Sequence, residues 1–191
     1  LTKMLNALIA SDFVTRYVPF GESKRNELYK LTDPFCIFYL HFVSGHDSLN
    51  ADFWTMNQSS QSIVSWRGLA FEEVYLRHVN QIKGALGISG VASRQSAWSV
   101  KGSDDVQGNQ IDLLIERKDN VVNMCEMKFY NDEFVVSKSY ERVMVSRFNS
   151  LKECLPKRFA IHNTLVTTYG LKYNEYSGTF QNVVTIDDLF R

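Results

Sequence analysis

The sequence predicts a mixed α/β fold, a layer of short strands enclosed by helices. Three observations carry that expectation. Residues 66–86 place Leu69, Ala70, Val74, His78 and Ile82 along one long helix, with Gly84 and Gly87 marking its end. Three strand-like stretches follow at 91–100, 110–116 and 121–129, the last two joined by a Lys118-Asp119-Asn120 turn as in a hairpin. A second long helix is expected over 137–155, stopped by Pro156, before strands at 159–168 and 183–186 and a short helical turn at 187–190.

Residues 1–45 read as a separate segment. Met4, Leu5, Leu8 and Ile9 recur at helical spacing. Strands are expected at 13–18 and 27–31 around the turn Pro19-Phe20-Gly21-Glu22-Ser23. Asp33-Pro34 then opens a helix, with Asp as its cap and Pro in its first turn. That helix, at 35–43, is apolar nearly all round and is expected to be buried. Helix, two-stranded wing, helix matches the tail end of a winged-helix unit; an ordinary hairpin packed between helices fits the same pattern. Residues 46–62 are polar and read as a linker anchored by Trp54, and 63–191 form the second domain.

Composition bounds the function. The chain has 191 residues, 45% of them hydrophobic and 22% charged, as in a globular protein with one good core. No apolar run approaches the roughly 18 residues of a membrane span, so no membrane partner is expected. Formal net charge is zero, so any affinity for nucleic acid must come from a local patch. Cys36, Cys125 and Cys154 stand far apart in apolar settings and read as reduced core thiols of a cytoplasmic protein. His41, His46, His78 and His162 show no metal-binding pairing and read as structural or surface groups. Lys24 and Arg25 in the wing turn, and Lys138, Tyr140, Arg142 and Arg147 near the second long helix, read as solvated faces or as phosphate contacts.

The stretch CEMKF, residues 125–129, places Glu126 and Lys128 inside an apolar strand. Buried charge is costly unless it is paired or bound to something. Glu22-Ser23-Lys24 and Glu116-Arg117-Lys118 have the same spacing but lie in or beside hydrophilic turns. Strand alternation puts Glu126 and Lys128 on one face. On the preceding strand it groups Ile111, Leu113 and Ile115 on one face, and Asp112 and Leu114 on the other. The hairpin then sets Asp112 roughly opposite Glu126. Two carboxylates and an ammonium on one sheet face make a plausible Mg²⁺ site. Glu72 or Glu73, from the long helix, offers a third acid, and the pattern does not choose between them.

The stretch GNQIDLLIERKDNVVNMCEMKF resembles the core of the PD-(D/E)xK nuclease superfamily. The resemblance implies a restriction-endonuclease-like mixed sheet flanked by helices. It implies Asp112, Glu126 and Lys128 as catalytic residues, with Asp112 and Glu126 holding Mg²⁺ or Mn²⁺ and Lys128 positioning the attacking water. It also makes Glu72 the helical acid, with Glu73 second. Ile111 stands where the superfamily's proline would be. RGLAFEEVYLRHVNQIKGALGI, QIDLLIER, CEMKF and VTIDDLF are similar to the C-terminal region of bacterial and archaeal-type ATPases of the AAA superfamily. SDFVTRYVPFGESKRNELYKLTDPFCIFYLHF resembles their winged-helix end. The likeness spans nearly the whole chain.

What the resemblance implies is a C-terminal fragment that binds and cleaves DNA and has an upstream ATPase domain of the same parent as its partner. No GxxxxGK[ST] loop occurs, so this piece is not expected to hydrolyse ATP. The alternative is a catalytically inactive nuclease-like module that binds DNA or protein and regulates the ATPase. A third reading is structural, the domain holding ATPase subunits together in an oligomer.

Overall fold

The computed structural model describes residues 2–45, 51–100 and 109–191. Within them a five-stranded sheet is ordered β3-β4-β5-β6-β7, and a separate two-stranded sheet pairs β1 with β2. The strands of the large sheet are β3 (Ser93–Val100), β4 (Asn109–Arg117), β5 (Val121–Lys128), β6 (Ala160–Thr167) and β7 (Asn182–Val184). Neighbours β3/β4 and β4/β5 are antiparallel, while β5/β6 and β6/β7 are parallel. The molecule is thus mixed α/β, with helices on both faces of a mixed sheet.

One face packs on α4 (Gln61–Arg77) and α5 (Val79–Ala85), whose Phe71, Tyr75, Val79 and Ile82 meet Leu113, Ile115, Cys125 and Met127. The other packs on α6 (Lys138–Cys154), whose Met144 and Leu151 meet Leu114, Val122, Met124 and Leu165. Central β5 is therefore buried on both faces, which is why its sequence is apolar almost without alternation. Ser60 caps α4 by accepting from the Ile63 amide, and Ser137 caps α6 by accepting from the Tyr140 amide.

Several expectations are corrected. The single helix over 66–86 is two, broken at His78, whose ψ of 30° leaves the helical range; α4 also begins earlier, at Gln61. Residues 46–62 are not wholly linker: α3 (Phe53–Asn57) and the start of α4 fall there, while 46–50, with His46, lie outside the described residues. Trp54 does anchor this region, edge-on to Trp66 at 5.5 Å and within 6.5 Å of Phe38 and Phe42. The helix expected at 35–43 is α2 (Pro34–Phe42), capped by Asp33 as predicted, but of its residues only Phe42 is buried, and Phe35 is 72% exposed. An apolar composition cannot specify burial all round where one side of the helix alone is covered, here where Phe38 and Phe42 meet Trp54 and Trp66. Cys125 is buried, with its thiol pushed up to about 12 by burial, but Cys36 is only partly buried and Cys154 is exposed, so they are not all core thiols. No helix of the described residues is long and apolar enough to cross a membrane.

The hairpin β1 (Val14–Tyr17) and β2 (Leu28–Leu31) lies against the second part of the chain. The Phe20 amide in its turn donates to the Ala97 carbonyl at 2.7 Å. Arg77 donates to the Thr32 carbonyl at 2.7 Å, and Lys30 pairs with Glu73.

Tyr75 locks α4 to the parallel side of the sheet, its fully buried hydroxyl donating to the Thr167 carbonyl at 3.3 Å. Tyr75→Phe removes that bond and keeps the ring. A loss of about 1 kcal/mol is expected in urea unfolding, because the carbonyl stays buried without its donor.

Candidate functional site

The candidate residues come from three elements meeting near one end of the β4–β5 hairpin. β4 and β5 pair Leu113 with Cys125 and Leu114 with Met124. One step further in that register, Asp112 stands across from Glu126. The simple alternation of β4 nevertheless fails at this point. Between Ser96↔Leu114 and Trp98↔Ile111 the β3/β4 register shifts, so Asp112 and Leu113 together oppose Ala97. This is a β-bulge, and it re-aims the side chains beyond it. Ile111 consequently joins the cluster of Leu114, against the expectation that it shares a face with Leu113 and Ile115.

Glu126 is 2% exposed. Its Oε1 accepts from the Tyr140 hydroxyl at 2.6 Å and lies 3.0 Å from Lys128 Nζ; its Oε2 accepts from Arg147 Nη1. Lys128 Nζ also sits 5.9 Å from the centroid of the Tyr140 ring. Burial, then the Glu126 charge, raise the pKa of the Tyr140 phenol, so it remains a donor. Tyr140 and Arg147 are therefore not a solvated helix face: two turns apart on α6, they share one side of the helix and clasp the buried carboxylate.

Asp112 and Glu72 have a different environment. Both line a cavity of about 660 Å³ between the β1–β2 hairpin, α4 and the β3–β4 edge of the sheet. Gln110 Nε2 donates to Asp112 Oδ1 at 3.2 Å. Burial raises the Asp112 pKa first, and the Glu126 charge raises it further. Glu72 is raised to about 7, by burial and then by the Asp112 charge. Glu73 lines the same cavity but is 3% exposed, with Oε1 2.5 Å from Lys30 Nζ. Both acids of the FEEV segment thus reach the cavity, and Glu72 is the one whose proton affinity Asp112 sets. Lys30 was not singled out by sequence reasoning. A lysine in an exposed hairpin carries no local signal that distinguishes it from a solvated charge.

Two carboxylates lining one cavity, one raising the other's pKa, form a cation-attracting pair. Their hard oxygen donors suit Mg²⁺ or Mn²⁺, and Mg²⁺ is commonly held by one or two carboxylates plus water. Glu126 does not complete such a set as it stands, because both its oxygens are engaged. Among the described residues no group of three or more His, Cys, Asp or Glu is placed to hold a metal ion. The expected triad of Asp112, Glu126 and Glu72 is thus divided: Glu72 and Asp112 share the cavity, and Glu126 is clasped by α6. The physical reason is that buried Glu126 needs compensation within the chain, and Arg147, Lys128 and Tyr140 provide it.

The raised Glu72 pKa fixes a pH response. Folded Glu72 keeps its proton up to about pH 7, against an ordinary value of 4.5. Between these pH values the native chain binds more protons than the unfolded chain, so stability falls as pH rises through that window and then levels. Glu72→Gln is expected to flatten this slope. The carboxyl is partly solvated, so the effect is on the order of 1 kcal/mol after screening, or about 2–4 °C in Tm. Thermal melts of both proteins at pH 4.5 and pH 8 measure it.

Comparisons with known proteins show no family. No family model matches the chain, and no curated protein matches it. A crystal structure of a protein of unknown function is similar over 61% of this chain and 64% of that one, at 18% identity and a TM-score of 0.41, and it carries no argument about what this chain does.

Proposed function

We propose that the chain is a PD-(D/E)xK-type, divalent-metal-dependent nuclease domain acting on DNA, with Asp112, Glu72 and Lys128 as its working residues. The observation that carries the reading is the carboxylate pair: Asp112 and Glu72 line one cavity, and the Asp112 charge adds to burial in raising the proton affinity of Glu72. That Asp112 and the Glu126-Met127-Lys128 triplet lie on the adjacent antiparallel strands β4 and β5 supports the reading.

In this reading Asp112 and Glu72 hold Mg²⁺ or Mn²⁺. Bound there, the cation supplies charge to the scissile phosphate and acidifies an attacking water. Lys128 Nζ, 3.0 Å from Glu126 Oε1, neutralises charge developing on the phosphate. Glu126 orients Lys128, and becomes a metal ligand only by giving up Arg147. Exposed Lys24 and Arg25 near the turn of the β1–β2 hairpin contact the DNA backbone in this reading. The quoted resemblance supports a parent ATPase with this chain as its C-terminal part.

A second reading is favoured by one observation, the fully engaged Glu126. It makes the chain an inactive nuclease-like module that binds DNA or protein and regulates the ATPase. Calorimetric titration of Mn²⁺ into the protein and into Asp112→Asn, followed by a Mg²⁺-dependent cleavage assay on plasmid and oligonucleotide DNA, separates the two. Binding lost in the variant, together with cleavage, supports the nuclease; absence of both sinks it in favour of the regulatory module.

A further inference from the structure

Three contacts fix the β1–β2 hairpin as a wall of the carboxylate cavity. At one side the Phe20 amide bonds to the carbonyl of Ala97, the residue that the Asp112–Leu113 bulge opposes. At the other, Arg77 of α4 holds the Thr32 carbonyl and Glu73 meets Lys30. Glu73 is almost wholly buried, and its Oε1 is close to Lys30 Nζ without the alignment of a hydrogen bond. A buried carboxylate of this kind is held by charge, so the hairpin is anchored by the same residue that neutralises α4.

The cavity thus enclosed is about 660 Å³, within the roughly 300–1,000 Å³ range of small-ligand sites. Its lining is of three chemical kinds. Tyr29, Leu69 and Leu76 offer an aromatic and apolar surface. Gln95 and Gln110 offer amide donors and acceptors. Of its charged groups, Glu73 is paired with Lys30 and Arg77 holds the Thr32 carbonyl, while Asp112 and Glu72 offer oxygens to a phosphate's counter-cation and the half-exposed Lys30 offers its ammonium to the phosphate. Base, base edge and phosphate are the parts of one nucleotide.

We infer that this cavity, walled by the β1–β2 hairpin, is a single-nucleotide pocket, taking one unpaired nucleotide of a DNA strand with Lys30 positioning its phosphate. The inference rests on the nuclease reading for the identity of the polymer, and it adds the substrate class. A nucleotide stacked and paired in a duplex cannot bring its base into a cavity of this size. Access therefore requires a single strand, a frayed end or an extruded residue, whose unstacking cost is least where the base is already unpaired. Stacking on an aromatic wall is sequence-tolerant, so no base preference is expected from it.

The test is fluorescence anisotropy of a labelled single-stranded oligonucleotide and of the duplex of the same sequence, in Mg²⁺ and in EDTA. The single strand is expected to bind at least ~10-fold more tightly than the duplex, a value within the range of stacking one base. Tyr29→Ala, which removes an aromatic ring from the wall at a half-exposed position, is expected to weaken that preference. Lys30→Gln combined with Glu73→Gln, which removes both charges of the buried pair together, is expected to weaken binding and lower the salt slope of the single-strand complex by about one. Equal affinity for the two DNAs, or a preference untouched by Tyr29→Ala, overturns the pocket. Mg²⁺-dependent cleavage with no strand preference would overturn the pocket and leave the nuclease standing. Preference retained with no cleavage would support the pocket and sink the nuclease.

Discussion

Asp112→Asn is expected to lower Mg²⁺-dependent DNA cleavage by at least ~10²–10³-fold, the scale of removing one group that acts on transition-state charge. It is also expected to leave the fold as stable as before or slightly more stable. Those opposite signs are the point of the experiment. Asp112 is a partly buried acid whose proton affinity is raised by burial and by the Glu126 charge, and it raises that of Glu72 in turn. Its one hydrogen-bond donor among the described side chains is Gln110. The neutral amide relieves that repulsion in the absence of metal, so a purely structural Asp112 would have no reason to be an acid. Single-turnover cleavage rates and urea midpoints on the same preparations read both effects. Unchanged cleavage in Asp112→Asn removes this residue, and the mechanism built on it, from consideration.

Arg147→Met should be among the most destabilising single substitutions in the chain, at about 3–5 kcal/mol, the cost of leaving a buried charge without its partner. Glu126 would keep Tyr140 and Lys128, but the Lys128 side chain is 39% exposed and its pairing is correspondingly screened. The Arg147 side chain is 19% exposed and meets the second carboxylate oxygen, which nothing else in the described structure reaches. The partner experiment is Glu126→Gln combined with Arg147→Met, which is expected to recover most of the loss, because the buried charge is gone. Guanidinium unfolding of the wild type, the two single variants and the double variant gives the coupling energy directly. The Arg147 Nε is buried without a hydrogen-bond partner, so the network is not fully satisfied and contributes more to arrangement than to net stability. A coupling below about 0.5 kcal/mol would show that Arg147 does not hold Glu126 in solution.

This second result bears on the first. While Arg147 holds Glu126, the carboxylates open to a cation are Asp112 and Glu72. A Mn²⁺ affinity that rises in Arg147→Met would show Glu126 joining the site once released.

The sequence by itself determined the order of the strands and the local chemistry of this protein, while it merged α4 with α5 and left α3 as linker. Period-2 and helical spacing, Asp33-Pro34, the Lys118-Asp119-Asn120 turn and Pro156 are local signals, and local signals survive in sequence because each acts within a few residues. They placed the five strands of the large sheet, and CEMKF marked the one charged pair inside a buried strand. Only the tertiary structure decided what those charges meet. The β3/β4 bulge at Asp112 is a register slip between two strands, invisible to the alternation of either one. The division of the acids, with Glu126 clasped by α6 and Asp112 and Glu72 facing the hairpin cavity, depends on which helix covers which face. Tyr140, Arg147 and Lys30 took their partners from elements 14, 21 and 43 residues away. Charge pairing at that separation is set by packing, and packing has no period.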